Sequence, residues 1–238
     1  MAKLNDDWTV LPHGALEEIE PGLLTVVGQI PMPLGNFPRR MTVVGLSRER
    51  TAIFSPIPLD EDAMRRIEAL GAPAFLIIPN GGHRLDSRPF KKRYPKAKVI
   101  AAKGAAAQVG EAVKVDASTA DLGSDVDLVS VGGMGDAELA LIVRRDGHAT
   151  LVTNDIIGNV AHPKGIGAWL MARLSGFGPK PRVPRLLLAR YVKDKAALAA
   201  QLRDWSKLGN LQRIIPSHGD IITDRPAALL KRLADGLT

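Results

Sequence analysis

Five histidines and no cysteine bound the chemistry open to this chain. Disulfides and thiolate metal sites are excluded outright. What remains is imidazole and carboxylate, and three positions stand out because each comes directly after an apolar run. His83 comes after Ala74 to Ile78 and the Pro79-Asn80-Gly81-Gly82 loop. Asp155 comes after Thr150 to Thr153, and His218 after Arg213 to Pro216. Together they make a candidate set for one hard or borderline metal ion. Each also has a plainer role. His83 can bond the backbone of its loop, Asp155 can cap the next segment, and His218 can simply bond Asp155. Asn80, His83 and Arg84 are the candidate substrate-binding residues. Asp86 and Asp220 are expected to be solvated carboxylates. His13 and His148 are given surface or loop positions, and His162 is a weaker candidate substitute ligand.

Short-range signals define the elements that must position these residues. Leu23 to Val27, Met41 to Leu46 and Thr51 to Ser55 are short apolar or β-branched runs, which predict strands, with a hairpin turn over 47–50. Asp60 predicts the cap of a helix over 61–70, with Gly71 ending it. Ala74 to Ile78 is continuously apolar, as a strand buried on both faces is. A short helix over 88–94, a strand at 99–101 and a helical piece over 104–109 come next. Strands at 126–131 and 139–143 precede the Asp146-Gly147 hairpin signal. Asp155 is placed just past the strand after this hairpin. Asp194 predicts a second capped helix carrying Leu198, Leu202 and Trp205 on one face. His218 to Asp220 is expected in a loop after the last strand. Asp224 and Pro226 start a terminal helix ending near 233.

Composition is that of a globular chain, with 45% hydrophobic and 24% charged residues. The net charge of +7 is uneven. From Arg84 to Lys103, eight cations face only Asp86, and from Pro163 to Lys193 the cations meet no acid. Such stretches can attract small anions, nucleic acid or lipid headgroups. A solvated face is the default expectation, because no nucleic-acid motif accompanies them. No apolar run has bilayer-spanning length and the N-terminus has no apolar signal region, so a cytoplasmic protein is expected. Trp169-Leu170-Met171, with Lys164 and Arg173 around it, could touch a membrane or a hydrophobic substrate. It is short, so packing over the sheet or a dimer contact is the default expectation, and a homo-oligomer stays open.

The motifs also carry a resemblance. Leu151-Val152-Thr153-Asn154-Asp155 and Ile214-Ile215-Pro216-Ser217-His218-Gly219 resemble the later Asp and final His elements of the metallo-β-lactamase fold. Ser55-Pro56-Ile57-Pro58-Leu59, Pro79-Asn80 with His83, and Tyr94-Pro95-Lys96-Ala97-Lys98-Val99 resemble a sub-branch of that fold with a degenerate histidine cluster and no assigned function. The resemblance implies an α/β fold, a four-layer αββα sandwich, as one domain over 1–238 with an insert at about 156–183. It also shows what is missing. The family's His-x-His-x-Asp-His cluster keeps only His83 and Asp86 here, and Met134 stands where a Gly-His loop has its histidine. A dinuclear zinc site cannot be built from this set, since each ion needs about four ligands. Two functions stay open. One is a mononuclear hydrolase of an ester, thioester or phosphoester, using one zinc, iron or manganese ion on His83, Asp155 and His218. The alternative is a non-catalytic protein without metal that binds an anion or a partner.

Overall fold

Two sheets organise the chain. The computed structural model describes residues 4–32, 35–160, 169–170, 173, 176–178 and 180–237. The first sheet holds six strands in the order β1-β2-β3-β4-β5-β6. These are β1 (Glu17–Glu20), β2 (Leu23–Met32), β3 (Gly35–Leu46), β4 (Arg50–Phe54), β5 (Ala72–Ile78) and β6 (Lys98–Ala101). β3 and β4 form the expected hairpin, Leu46 opposite Arg50, while β5 runs parallel to both β4 and β6. The second sheet has the order β10-β9-β8-β7, from β7 (Val126–Ser130), β8 (Leu139–Arg145), β9 (His148–Asn159) and β10 (Leu211–Gly219). β9 is antiparallel to β8 and parallel to β10.

Among the described residues, six α-helices accompany the sheets: α1 (Glu61–Ala69), α2 (Ser87–Arg93), α3 (Ala106–Gly110), α4 (Arg185–Arg190), α5 (Lys195–Trp205) and α6 (Pro226–Asp235). Local chemistry explains where two of them start. The Asp60 side chain accepts from Ala63 N–H at 2.8 Å and that of Asp194 from Ala197 N–H at 2.9 Å, each satisfying an orphan donor of the first turn. α6 differs from expectation. The residue at its N-cap is Arg225, in a left-handed conformation, and Asp224 does not cap it.

The chain divides into two compact units. The first comprises 1–29 and 40–124. Its buried residues include Met41, Val43, Ile53, Phe54, Met64, Ile67, Leu76, Ile77, Ile78 and Phe90. The second comprises 125–238 and the β2–β3 hairpin tip, 30–39. One core in it joins Leu151, Ile156 and Ile214 of the sheet to Leu198, Leu202 and Trp205 of α5 and to Leu229 and Leu230 of α6. The Asp146-Gly147 turn is as expected. Both residues have positive φ, 47° and 75°, the conformation a two-residue type I′ hairpin needs.

Candidate metal site

In the first unit, β5 delivers the chain to a tight turn. Asn80 accepts from Gly82 N–H at 2.8 Å, and Gly81–His83 forms one turn of 3₁₀ helix. Gly81 lies so close to the Gln108 side chain that any Cβ there would collide with it. The Gly-Gly pair is thus part of an ordered turn, with Gly81 packed against Gln108. His83 ends buried, 7% exposed, and its Nδ1 lies 2.7 Å from Ser55 Oγ. Ser55 comes directly after β4 with φ 57°, left-handed geometry that costs a non-glycine residue of order 1 kcal/mol. Its N–H donates to Ile77 O at 2.9 Å, holding it against the end of β5. Arg84 is buried and donates to Gly81 O and, at 3.1 Å, to Glu111. Asp86 is buried, not solvated, and accepts from Asn5 Nδ2 at 2.6 Å.

In the second unit, Asp155 and His218 form a direct pair, with Oδ1 2.9 Å from Nε2. Neither sits in a loop after a strand, as the sequence suggests. β9 continues to Asn159 and β10 to Gly219, so both residues lie within paired strands. Between the pairs Pro216–Thr153 and His218–Gly158, β10 advances by two residues and β9 by five. The surplus bulges out of β9 around Asp155, a device that re-aims side chains next to functional sites. Glu138, buried at 1% exposure, supports the bulge by accepting from Ile156 N–H at 2.9 Å. Asn154 is fully buried beside Asp155, and neither of its amide atoms has a hydrogen-bond partner among the described residues.

His218 Nδ1 donates to the Pro38 carbonyl at 2.6 Å. A carbonyl only accepts, so Nδ1 carries a proton, and the other ring nitrogen, Nε2, faces the Asp155 carboxylate. Phe37 and Phe177 pack on the ring, with centroids 4.9 and 5.5 Å away. Gly158 has no Cβ, and one there would strike the Phe177 ring.

The remaining candidates take other places. Met134 is buried in the second unit's core and is apolar filling. His148 starts β9 beside Arg145, and His13 is half-buried with Nε2 3.7 Å from Asp60. Asp220 is exposed, as expected. His162 and Met171 lie outside the described residues. Trp169 and Leu170 are exposed, at 51% and 39%. Ser55, Pro38 and Glu138 escape sequence reasoning. Only the Ser55-Pro56 pair gives a local sign, since the residue before proline is restricted.

No family model and no curated protein matches the sequence. Solved structures do. A metallo-β-lactamase from Erythrobacter litoralis aligns over 93% of this chain and 96% of its own, with TM-score 0.63 and 12% identity. The metallo-β-lactamase FIM-1 from Pseudomonas aeruginosa, in its mono-zinc form, aligns over 98% and 97%, with TM-score 0.62 and 12% identity. The metal-soaked Flv1 flavodiiron core from Synechocystis aligns over 96% of this chain and 61% of its own, with TM-score 0.61 and 12% identity. Two mixed sheets with helices, matched along nearly the whole chain, give the protein the metallo-β-lactamase fold. No helix among the described residues is long and apolar enough to cross a membrane.

Proposed function

We propose that this protein is a metal-dependent hydrolase with a single-ion site, in which His83 joins Asp155 and His218 as ligands. The observation that carries it is the His218–Asp155 pair. One nitrogen of a buried imidazole is held by a main-chain carbonyl at 2.6 Å, and the other lies 2.9 Å from a carboxylate oxygen. Imidazole and carboxylate are suitable ligands for one divalent ion, and a carbonyl behind the distal nitrogen is the usual support of a metal-ligating histidine. The mono-zinc form of FIM-1 supports a one-ion reading of the same fold.

When bound, the ion supplies Lewis acidity suited to hydrolysis of an ester, thioester or phosphoester, and three protein ligands leave a coordination position open. The chain's own residues do the rest. Ser55 holds Nδ1 of His83 so that Nε2 is the ligating nitrogen. Asn80 and Arg84 shape the turn that carries His83. Phe37 and Phe177 keep water from the face of His218. The alternative, a metal-free binding protein, relies on Arg84 and Arg88 as anion ligands. Arg84 donates to Gly81 and Glu111, and Arg88 to Asp6 and to the Glu111 and Ala112 carbonyls, which weighs against it.

The test is metal analysis of protein purified without added metal. About one equivalent of zinc, iron or manganese per chain is expected, and His218→Ala abolishes it. Ser55→Gly keeps the left-handed turn but removes the hydroxyl. It lowers metal affinity about 10- to 100-fold while the protein melts no earlier. A fully folded wild type that takes up none of the three metals overturns the proposal. Metal-loaded protein inactive on a panel of the three ester classes overturns the hydrolase assignment.

A further inference from the structure

Five large hydrophobic side chains are exposed among the described residues, and four lie within 23 positions of each other: Trp169 at 51%, Leu170 at 39%, Leu186 at 48% and Tyr191 at 54%. The same stretch is strongly basic. From Ile156 to Lys193 there is no Asp or Glu, and there are seven cations: Lys164, Arg173, Lys180, Arg182, Arg185, Arg190 and Lys193. The two properties meet in space. The Arg173 guanidinium lies over the Trp169 ring, 5.4 Å from its centroid. Gly176, three residues on, abuts Arg185 so closely that a Cβ would collide with its backbone nitrogen. Arg185 opens α4, which buries Leu187 in the second unit's core while exposing Leu186 and leading to Arg190 and Tyr191. Gly176 N–H also donates to Arg173 O at 3.3 Å, so the Trp169–Arg173 pair is tied through Gly176 to the start of α4, where Arg185, Leu186, Arg190 and Tyr191 are exposed.

We propose that this face docks the protein on an anionic lipid surface. Exposed Trp and Tyr seat at the headgroup level of a bilayer. Leucines reach the acyl boundary, and long cations beside them meet anionic headgroups. Other occupants fit less well. A two-fold dimer through this face sets an acid-free basic patch against its own image, like charge against like. Nucleic acid satisfies the arginines but gives Leu170 and Leu186 nothing to bury against. Docking is peripheral, because no described helix can span a bilayer.

The experiment is sedimentation of the full chain with vesicles of phosphatidylcholine alone or mixed with phosphatidylserine, at low and high salt. Trp169 emission is followed alongside, with brominated lipids as quenchers. Binding to the anionic vesicles only is expected, with a blue shift and quenching that Trp169→Phe removes. Arg185→Ala with Arg190→Ala weakens binding about tenfold or more, and Leu186→Ala lowers the part that persists in high salt. All substituted side chains are exposed, so circular dichroism and melting serve as fold controls. Equal binding to neutral vesicles, no binding to either, or vesicle binding indifferent to the arginine substitutions overturns the proposal. So does preferential retention by duplex DNA, or a dimer that Trp169→Ala dissolves in a protein that ignores vesicles.

Discussion

Two basic stretches of similar composition meet opposite fates in this molecule. In the first, around α2, the cations are tied to acids brought from elsewhere in the first unit. Arg84 pairs with Glu111, Arg88 with Asp6, Lys91 with Asp116, Lys92 with Asp7, and Arg93 with both Glu61 and Glu68. The Arg93 guanidinium also lies 4.8 Å from the centre of the Trp8 ring. These surface pairs fasten the N-terminal segment and α1 onto α2, while Lys96, Lys98 and Lys103 of the same stretch are exposed. In the second stretch, 156–193, the sequence holds no acid, and Arg173, Lys180, Arg185, Arg190 and Lys193 are exposed, as are Trp169, Leu170, Leu186 and Tyr191. The difference teaches that a run of cations has no function of its own. Whether it braces or advertises depends on which carboxylates the fold carries to it.

That contrast can be broken in several ways, beginning with the largest effect. Arg84→Ala removes a buried guanidinium and strands the Gly81 carbonyl, and should cost about 2–3 kcal/mol in urea unfolding. Arg93→Ala loses more bonds, but to better-exposed acids that water can resolvate, so about 1–2 kcal/mol is expected from the same measurement. The double substitution of Arg185 and Arg190 to Ala should change stability by no more than about 0.5 kcal/mol. A loss comparable to that of Arg93→Ala would erase the distinction between the stretches.

Smaller effects lie in pH. Burial, reinforced by the Glu68 hydrogen bond, raises the Tyr94 phenol above its ordinary value of 10.0. A raised folded value means stability present below pH 10.0 and lost as pH rises through it. Alkaline titration followed by phenolate absorbance should show a late component that Tyr94→Phe abolishes. The Arg93 hydrogen bond holds the Glu61 carboxyl below 4.5. Its contribution is present above that value and fades as pH falls through the lowered one. Acid unfolding curves of wild type and Glu61→Gln should therefore converge at the acid end.

Much of the fold was legible because its signals act over a few residues. Asp60 and Asp194 cap the helices that begin beside them, Asp146-Gly147 can turn only one way, and Ala74 to Ile78 needs cover on both faces. Asp155 and His218 could be singled out by residue type and by the apolar runs before them. Their surroundings could not. Polar sequence after Thr153 and Pro216 looks like the end of a strand, yet both strands continue, because Glu138 and the Pro38 carbonyl supply partners from 18 and 180 residues away. The histidine at 83 was visible, but the serine that holds it, 28 residues earlier, was not.

The sequence by itself therefore determined the turns, the caps, the two-faced strand and the thin set of groups that could hold an ion. Only the tertiary structure decided which cations are spent as braces, where the bulge in β9 turns Asp155 toward His218, and which main-chain carbonyl holds that imidazole. The physical reason is range. Propensity and capping are settled between neighbours in the chain, whereas a buried polar atom must find its partner wherever folding brings one within about 3 Å.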